Sequence, residues 1–163
     1  MARARPSKKA KSSKKISRKP ARTAKRRATS APRRASRPDA LFAPMKGAVR
    51  KDLGHVQLEF ARAGAARVKR IIYPAGFRWS VDMKPVAHTD FCMHAHVGFL
   101  ASGAIRIEYP DGCVDEFTAP QVVAVGPGHD GAVIGDVPAV LIEFDFEKDT
   151  VARLGWPLAH THG

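Results

Sequence analysis

The residues best suited to chemistry lie within residues 88–103, where Asp90, Cys92, His94 and His96 occupy every second position. If this stretch is a β-strand, its side-chain period of two directs all four side chains to one face. Imidazole, thiolate and carboxylate groups are ligands of divalent transition metals. The spacing therefore predicts a metal site on the inner face of a strand.

A structural role is the alternative for each of these residues. A single histidine on a strand is more often a hydrogen-bonded core or surface group than a ligand, and Cys92 alone is more often a buried apolar side chain. No general base that would activate Cys92 can be recognised in the sequence. His160 and His162 lie near the end of the chain, where we expect fraying.

The second cysteine is Cys113, and two cysteines do not make a disulfide framework. We interpret both as thiols in a reducing compartment.

The elements around these residues are predicted to be short β-strands separated by turns. In AIRIEY, Ile105 and Ile107 alternate with polar residues, and the following Pro110–Gly112 has hairpin turn chemistry. Many short strands at even spacing predict an all-β sandwich or barrel. The predicted strands are Ala66–Tyr73, Phe77–Met83, Phe91–Ala101, Ala104–Tyr109, Cys113–Thr118, Val122–Val125, Ala132–Ile134 and Val140–Phe146.

One helix is predicted at Lys148–Leu154, with Asp149 as its cap. The secondary structure of residues 39–65 is harder to predict, although the stretch HVQLEF within them favours an edge strand. Glycines at three places interrupt any longer element there.

Residues 1–38 differ from the rest in charge. They contain sixteen of the 28 Lys and Arg residues and none of the 15 acidic ones, so the net charge of +13 is a tail of +16 on a body of −3. With few large apolar side chains, this segment is predicted to be a disordered tail. Its composition is similar to that of the basic tails of linker histones and bacterial histone-like proteins.

Non-specific binding of nucleic acid is one predicted role of this tail. A solubilising extension is an equal alternative, and an organelle transit peptide is a third. The cations expected to contact phosphates are Lys8, Lys9, Lys14, Lys15, Arg26, Arg27, Arg33 and Arg34.

Residues 39–163 are long enough for one compact domain but not for two. No stretch approaches the roughly 20 apolar residues that a membrane-spanning helix needs. We expect a cytoplasmic protein that does not enter the membrane.

Two sequence stretches carry a family resemblance. The first contains GFRWS at 76–80, Lys84–Pro85, Thr89, Cys92, HVGF at 96–99 and Ser102–Gly103. The second contains GPGHDG at 126–131 and GDVP at 135–138. Together they resemble small single-domain bacterial cupins of the RmlC-like type, and the match covers about residues 60–146. The resemblance implies a double-stranded β-helix, or jelly-roll barrel.

The resemblance also implies a metal site, with His94, His96 and His129 as principal ligands and Cys92 or Asp90 as the fourth. The chain departs from the metal-binding cupin pattern, because Leu100 stands where that pattern has a glutamate and His129 follows Gly128 directly. The ligand register among positions 90, 92, 94 and 96 is therefore open. Zn, Fe, Mn and Ni all suit such a donor set.

If a coordination position stays open, the resemblance implies metal-dependent oxygenase or isomerase chemistry. The alternative is a non-catalytic ligand-sensing barrel whose tail binds nucleic acid, and a third possibility is a chromatin-like protein in which the barrel dimerises.

A small-molecule pocket is predicted beside the metal site. Lys84 next to the aromatic residues Trp79 and Phe99 would suit a carboxylate on an apolar body, although packing and a solvated edge are the alternatives. Asp130 is predicted either to orient His129 or to form a turn.

A homodimer is predicted from the side chains on the opposite face of the same predicted strand. These side chains are apolar, as expected of a packed interface, and the resemblance to cupins implies that two barrels pair. The residues concerned are Phe91, Met93, Ala95 and Val97.

Overall fold

A computed structural model describes residues 39–156. The predictions made for the basic tail and for His160 and His162 lie outside this range. The described chain forms nine strands and three short helices. In chain order these are β1 Val49–Leu53, β2 Val56–Ala63, β3 Ala66–Tyr73, α1 Trp79–Asp82, α2 Lys84–Ala87, β4 His96–Ser102, β5 Ala104–Glu108, β6 Val114–Thr118, β7 Gln121–Val125, β8 Asp130–Ile134, β9 Ala139–Phe146 and α3 Thr150–Arg153.

The strands form two antiparallel sheets. The larger has the order β1-β2-β3-β9-β4-β7 and the smaller the order β6-β5-β8. A single bridge from Arg78 to Ala132 extends the smaller sheet beyond β8. If β3 is numbered 1, the Arg78 bridge 2 and strands β4 to β9 are numbered 3 to 8, the order is 1-8-3-6 in the larger sheet and 5-4-7-2 in the smaller. This alternation is the strand order of a double-sheet jelly roll, so the predicted all-β class and jelly-roll barrel are confirmed.

The core lies between the two sheets. One apolar cluster is centred on Leu100, Val123 and Leu141, which are almost completely buried. A second cluster contains Val56 and Trp79 near the opposite end of the larger sheet. Each inward position is set by the period of two, so a polar residue at an inward position must also enter the interior.

Gly98 allows the centre of the larger sheet to close. It pairs with Glu143 of β9, and a Cβ atom at position 98 would lie 1.9 Å from the carbonyl oxygen of Ile142. No side chain fits at that distance. The close approach of β4 to β9 therefore depends on glycine.

Two predicted strands differ from the structure. The segment predicted as the strand Phe77–Met83 contains only the Arg78 bridge before helix α1 begins at Trp79. The strand predicted from Phe91 begins at His96, because the chain leaves α2 through a left-handed His88 and a turn at Thr89. The four residues at 90, 92, 94 and 96 therefore do not share one strand face.

The four apolar residues from which the homodimer is predicted also do not form one surface. Ala95 is buried, whereas Met93 is 57% exposed. The homodimer stays a prediction without this support. None of the helices within residues 39–156 is long and apolar enough to cross a membrane.

Candidate metal centre

Three side chains of metal-ligating type meet inside the barrel. The ligand atoms of Cys92, His96 and His129 all lie within 4.8 Å of one another, and we call these residues the Cys-His-His cluster. Cys92 Sγ is 3.5 Å from His96 Nε2. Cys92 and His129 are buried, and the His96 side chain is 12% exposed. The cluster is therefore largely shielded from bulk water.

Backbone pairing outside the regular strands places Cys92 against His129. The Cys92 amide donates to the His129 carbonyl over 2.8 Å, and the Gly128 amide donates to the Cys92 carbonyl over the same distance. Gly128 has a φ of 88°, which favours glycine. The sequence GHD thus makes a tight turn that presents His129 to Cys92.

Both histidines are held through Nδ1. His129 Nδ1 donates to the carbonyl oxygen of Gly126 over 2.6 Å, and His96 Nδ1 donates to the Glu143 carboxylate. A partner on one ring nitrogen fixes the tautomer and leaves the other nitrogen free to ligate. Nε2 of each ring is therefore the nitrogen available to the cluster.

Glu143 belongs to a row of buried charges on β3 and β9. Its second carboxylate oxygen lies 2.6 Å from Lys69 Nζ, which also pairs with Asp145 at 2.9 Å. Asp145 in turn accepts two hydrogen bonds from Arg67. We call Arg67, Lys69, Glu143 and Asp145 the charged ladder. It runs from a partly exposed arginine inward to His96.

These contacts shift the ionisation of the buried groups. Burial alone would raise the pKa of Cys92, but hydrogen bonds from His129 and His96 lower it to about 5. Burial opposes charge on His96 as well, yet the attraction of Glu143 raises its pKa to about 10. The pKa of Glu143 is lowered to about 2, because the attraction of His96 and Lys69 outweighs desolvation. The interior therefore stabilises paired charges.

A cavity of about 560 Å³ adjoins the Cys-His-His cluster. Its walls extend from Lys51 at the surface to His129 in the interior. Apolar side chains dominate the lining, among them Phe77, Trp79 and Ile107. A cavity of this size and character is typical of small-molecule sites.

Solved structures similar to this chain include three bacterial proteins. A Cupin 2 conserved barrel domain protein from Salinispora arenicola is 14% identical, with 69% of this chain and 93% of that chain covered and a TM-score of 0.46. An RmlC-like cupin from Shewanella frigidimarina is 18% identical, with 66% and 92% covered and a TM-score of 0.44. A cupin-like protein from Thermotoga maritima is 13% identical, with 57% and 69% covered and a TM-score of 0.42. No protein-family model matches the sequence, and no curated protein does either.

The strands of this chain themselves give the two-sheet jelly roll with the strand order described above. The chain has the jelly-roll fold that the resemblance to cupins implies. Its own strand order and sequence motifs carry that statement, since the three similarities are low. They transfer no ligand or activity to this chain.

The jelly-roll barrel brings together three of the five residues predicted as metal ligands. His94 lines the cavity but is not part of the Cys-His-His cluster. Asp90 points to the surface, where its side chain is 85% exposed and pairs with Lys84 at 3.1 Å. Both residues lie in the irregular segment before β4, where side chains do not alternate between the two faces of a strand.

Of the predicted pocket residues, only Trp79 lines the cavity. Lys84 is held at the surface by Asp90, and Phe99 lies 41% exposed on the outer face of β4. Asp130 accepts hydrogen bonds from the Ser80 amide and hydroxyl and from Arg78. It therefore fastens β8 to the start of α1, which helps to fix the turn that carries His129.

Glu143 is the residue of the site that the sequence patterns missed. It lies 47 positions from His96 and reads as part of the apolar strand VLIEFDF. The signal that could have identified it is parity, because Glu143 and Asp145 alternate with outward residues in phase with the core residue Leu141. Acids at inward positions of a buried strand indicate a polar interior.

The donor set fits a divalent transition metal. Tetrahedral sites with bonds of ~2.0–2.3 Å place their ligand atoms roughly 3.3–3.8 Å apart. The 3.5 Å separation of Cys92 Sγ and His96 Nε2 falls in this range. One thiolate and two imidazoles are soft to intermediate donors, which suit Zn, Fe or Ni better than Mn.

Proposed function

We propose that this cupin binds one divalent transition metal through Cys92, His96 and His129, and a small molecule in the adjoining cavity. The observation that carries the proposal is the convergence of three ligand atoms, two of them on rings whose other nitrogen is already bonded. Glu143 serves as a positioning residue, because it orients His96 without belonging to the cluster.

A bound metal would act as a Lewis acid at the inner end of the cavity. Three protein ligands leave a fourth position for water or a substrate, as in catalytic rather than structural zinc sites. The chain itself contributes fixed imidazoles, a low-pKa thiol and mainly apolar walls. An open position of this kind would suit metal-dependent oxygenase or isomerase chemistry.

Metal content of the full-length protein tests this proposal. The protein is prepared without an affinity tag or chelator, reconstituted separately with Zn²⁺, Fe²⁺ and Ni²⁺, and analysed by elemental analysis. We expect about one metal ion per chain, and its loss in Cys92→Ala and in His129→Ala. Reconstitution with Co²⁺ gives a second readout, because a thiolate ligand produces a charge-transfer band that Cys92→Ala should remove.

Two matched variants test the ligand register. Cys113→Ala removes the other thiol, which is partly buried and packs against the apolar core cluster, and His94→Ala removes the cavity histidine outside the Cys-His-His cluster. Both should retain the metal. Metal absent from every reconstituted sample, or retained in Cys92→Ala and His129→Ala, would contradict the proposal and favour the non-catalytic ligand-sensing barrel.

Nucleic-acid binding through residues 1–38 is a separate proposal that rests on their sequence charge of +16. Neutralising the eight cations named above by glutamine substitution should weaken DNA binding and flatten its dependence on salt. Unchanged binding by that variant would show that the contact lies elsewhere in the chain.

A further inference from the structure

The cavity is much larger than a metal ion with bound water requires. Its volume of about 560 Å³ is within the range of sites that enclose a whole organic molecule. It is also accessible, since Lys51 on its wall is exposed while His129 at its inner end is 2% exposed. The remaining wall residues therefore indicate what kind of molecule fits.

The wall that faces the larger sheet is entirely apolar. It is made of Ile105 and Ile107 from β5 with residues 131–133 from β8. Near the start of α1, the rings of Tyr73 and Phe77 lie 4.7 Å apart, and Trp79 is almost fully buried. These surfaces favour an aromatic or branched apolar body and offer it few hydrogen bonds.

The acids on the cavity wall are already neutralised. Asp145 is bonded by Arg67 and Lys69, and Glu147 is paired with Arg62 at 2.6 Å. Neither acid therefore offers a free charge to a cationic ligand.

Lys51 is the cation on this wall that has no acidic partner among residues 39–156. Its ammonium group lies 5.7 Å from the centre of the Phe60 ring, and no carboxylate of the described chain pairs with it. Lys51 faces the cavity because it is directly opposite Leu58, which is opposite Ile71, and all three line the cavity. A cation beside an apolar wall is a receptor for an organic anion.

We propose that the cavity takes a carboxylate with an aromatic or branched apolar body, and that Lys51 at the entrance recognises the carboxylate. This inference rests on the proposed function, because the ligand enters the cavity that adjoins the metal site. It assigns to Lys51 the part that the sequence pattern assigned to Lys84. Lys84 is unsuited to that part because Asp90 already pairs with it.

A pair of isosteric probes tests this assignment in the full-length protein. Binding of 3-phenylpropionate and of its neutral amide, 3-phenylpropionamide, is measured by calorimetry, and acetate serves as a probe without the apolar body. We expect the acid to bind up to about fivefold more tightly than the amide, as for an exposed charge pair. Acetate should not bind measurably.

Lys51→Gln and Arg50→Gln form a matched pair of variants. Each removes one exposed positive charge from β1, but Arg50 lies on the other face, where it pairs with Asp52. Lys51→Gln should abolish the preference for the acid over the amide, and Arg50→Gln should preserve it. Equal binding of acid and amide by the wild type, or an equal effect of both variants, would overturn the inference.

The metal content of the same samples separates this inference from the proposed function. A protein with about one metal per chain that shows no preference for the acid would refute the assignment to Lys51 and leave the metal proposal intact. An acid preference that requires metal and survives Lys51→Gln would show that the metal, not Lys51, holds the carboxylate. A metal-free protein that still prefers the acid through Lys51 would refute only the metal proposal.

Discussion

The two sheets of the barrel contribute different kinds of side chain to the same interior. The smaller sheet lines the cavity with apolar residues alone, whereas the larger sheet supplies His96 and the charged ladder. Buried ion pairs are weak evidence for stability, because well-packed apolar residues of similar volume are often as stable or more so. We therefore expect the ladder to serve mainly to orient His96.

Removing Glu143 from the larger sheet should cause the largest loss in the free energy of unfolding. Glu143→Ala leaves Lys69 buried without one of its two acidic partners and removes the acceptor of His96 Nδ1. We expect a loss of about 3–5 kcal/mol in the free energy of unfolding, measured by chemical denaturation of the metal-free protein.

The exposed acid Glu116 provides the control, because its pair with Arg106 lies on the surface of the smaller sheet. Glu116→Ala should change stability by no more than about 0.5 kcal/mol. A similarly small cost for Glu143→Ala would show that the larger sheet tolerates its buried charges without pairing.

Acid should destabilise the protein by protonating carboxylates of the larger sheet. The folded pKa of Glu143 is about 2, below its ordinary value of 4.5, and the pKa of Asp145 is also lowered, against burial, by Arg67 and Lys69. A carboxyl with a lowered folded pKa adds stability above its unfolded pKa and loses it as the pH falls through the folded value. Stability should therefore decline from about pH 4.5 towards pH 2.

This pH dependence can be measured by denaturation of the metal-free wild type and of Glu143→Gln, which cannot titrate at that position. The variant should show a shallower decline over the same pH range. Parallel curves for the two proteins would assign acid sensitivity to other groups.

A change in the smaller sheet should have the smallest effect. Ile107 is 4% exposed, and Ile107→Val removes one buried methylene while keeping the wall apolar. We expect a cost of about 0.5–1.5 kcal/mol with no change in metal content. Loss of metal in Ile107→Val would mean that the smaller sheet, too, positions the Cys-His-His cluster.

Alternation made part of this fold predictable. Strand β3 was predicted with its observed bounds, and β5, β6, β7 and β9 to within one or two residues, because each alternates or is flanked by turn residues. The segment before β4 was predicted as strand because its ligand types also alternate. There a left-handed His88 and the pairing of Cys92 with His129 override the pattern, and neither is visible in local sequence.

The candidate site was predictable to a similar extent. The sequence identified Cys92, His96 and His129, since each lies in a stretch with family-like spacing. It also included His94 and Asp90, which strand parity alone cannot separate from true members. Glu143 and the proposed role of Lys51 were missed because both depend on strand pairing across the sheet.

The distance along the chain between His96 and Glu143 has a consequence for biosynthesis. A ribosome adds Glu143 47 residues after His96, and β9 must then insert between β3 and β4 to complete the larger sheet. Until that insertion, His96 has no acceptor for its Nδ1 proton, and the cations of the charged ladder on β3 lack their acidic partners on β9. Loading of the proposed metal should therefore follow translation of β9, so that nascent chains ending before it would not acquire the ion in a native site.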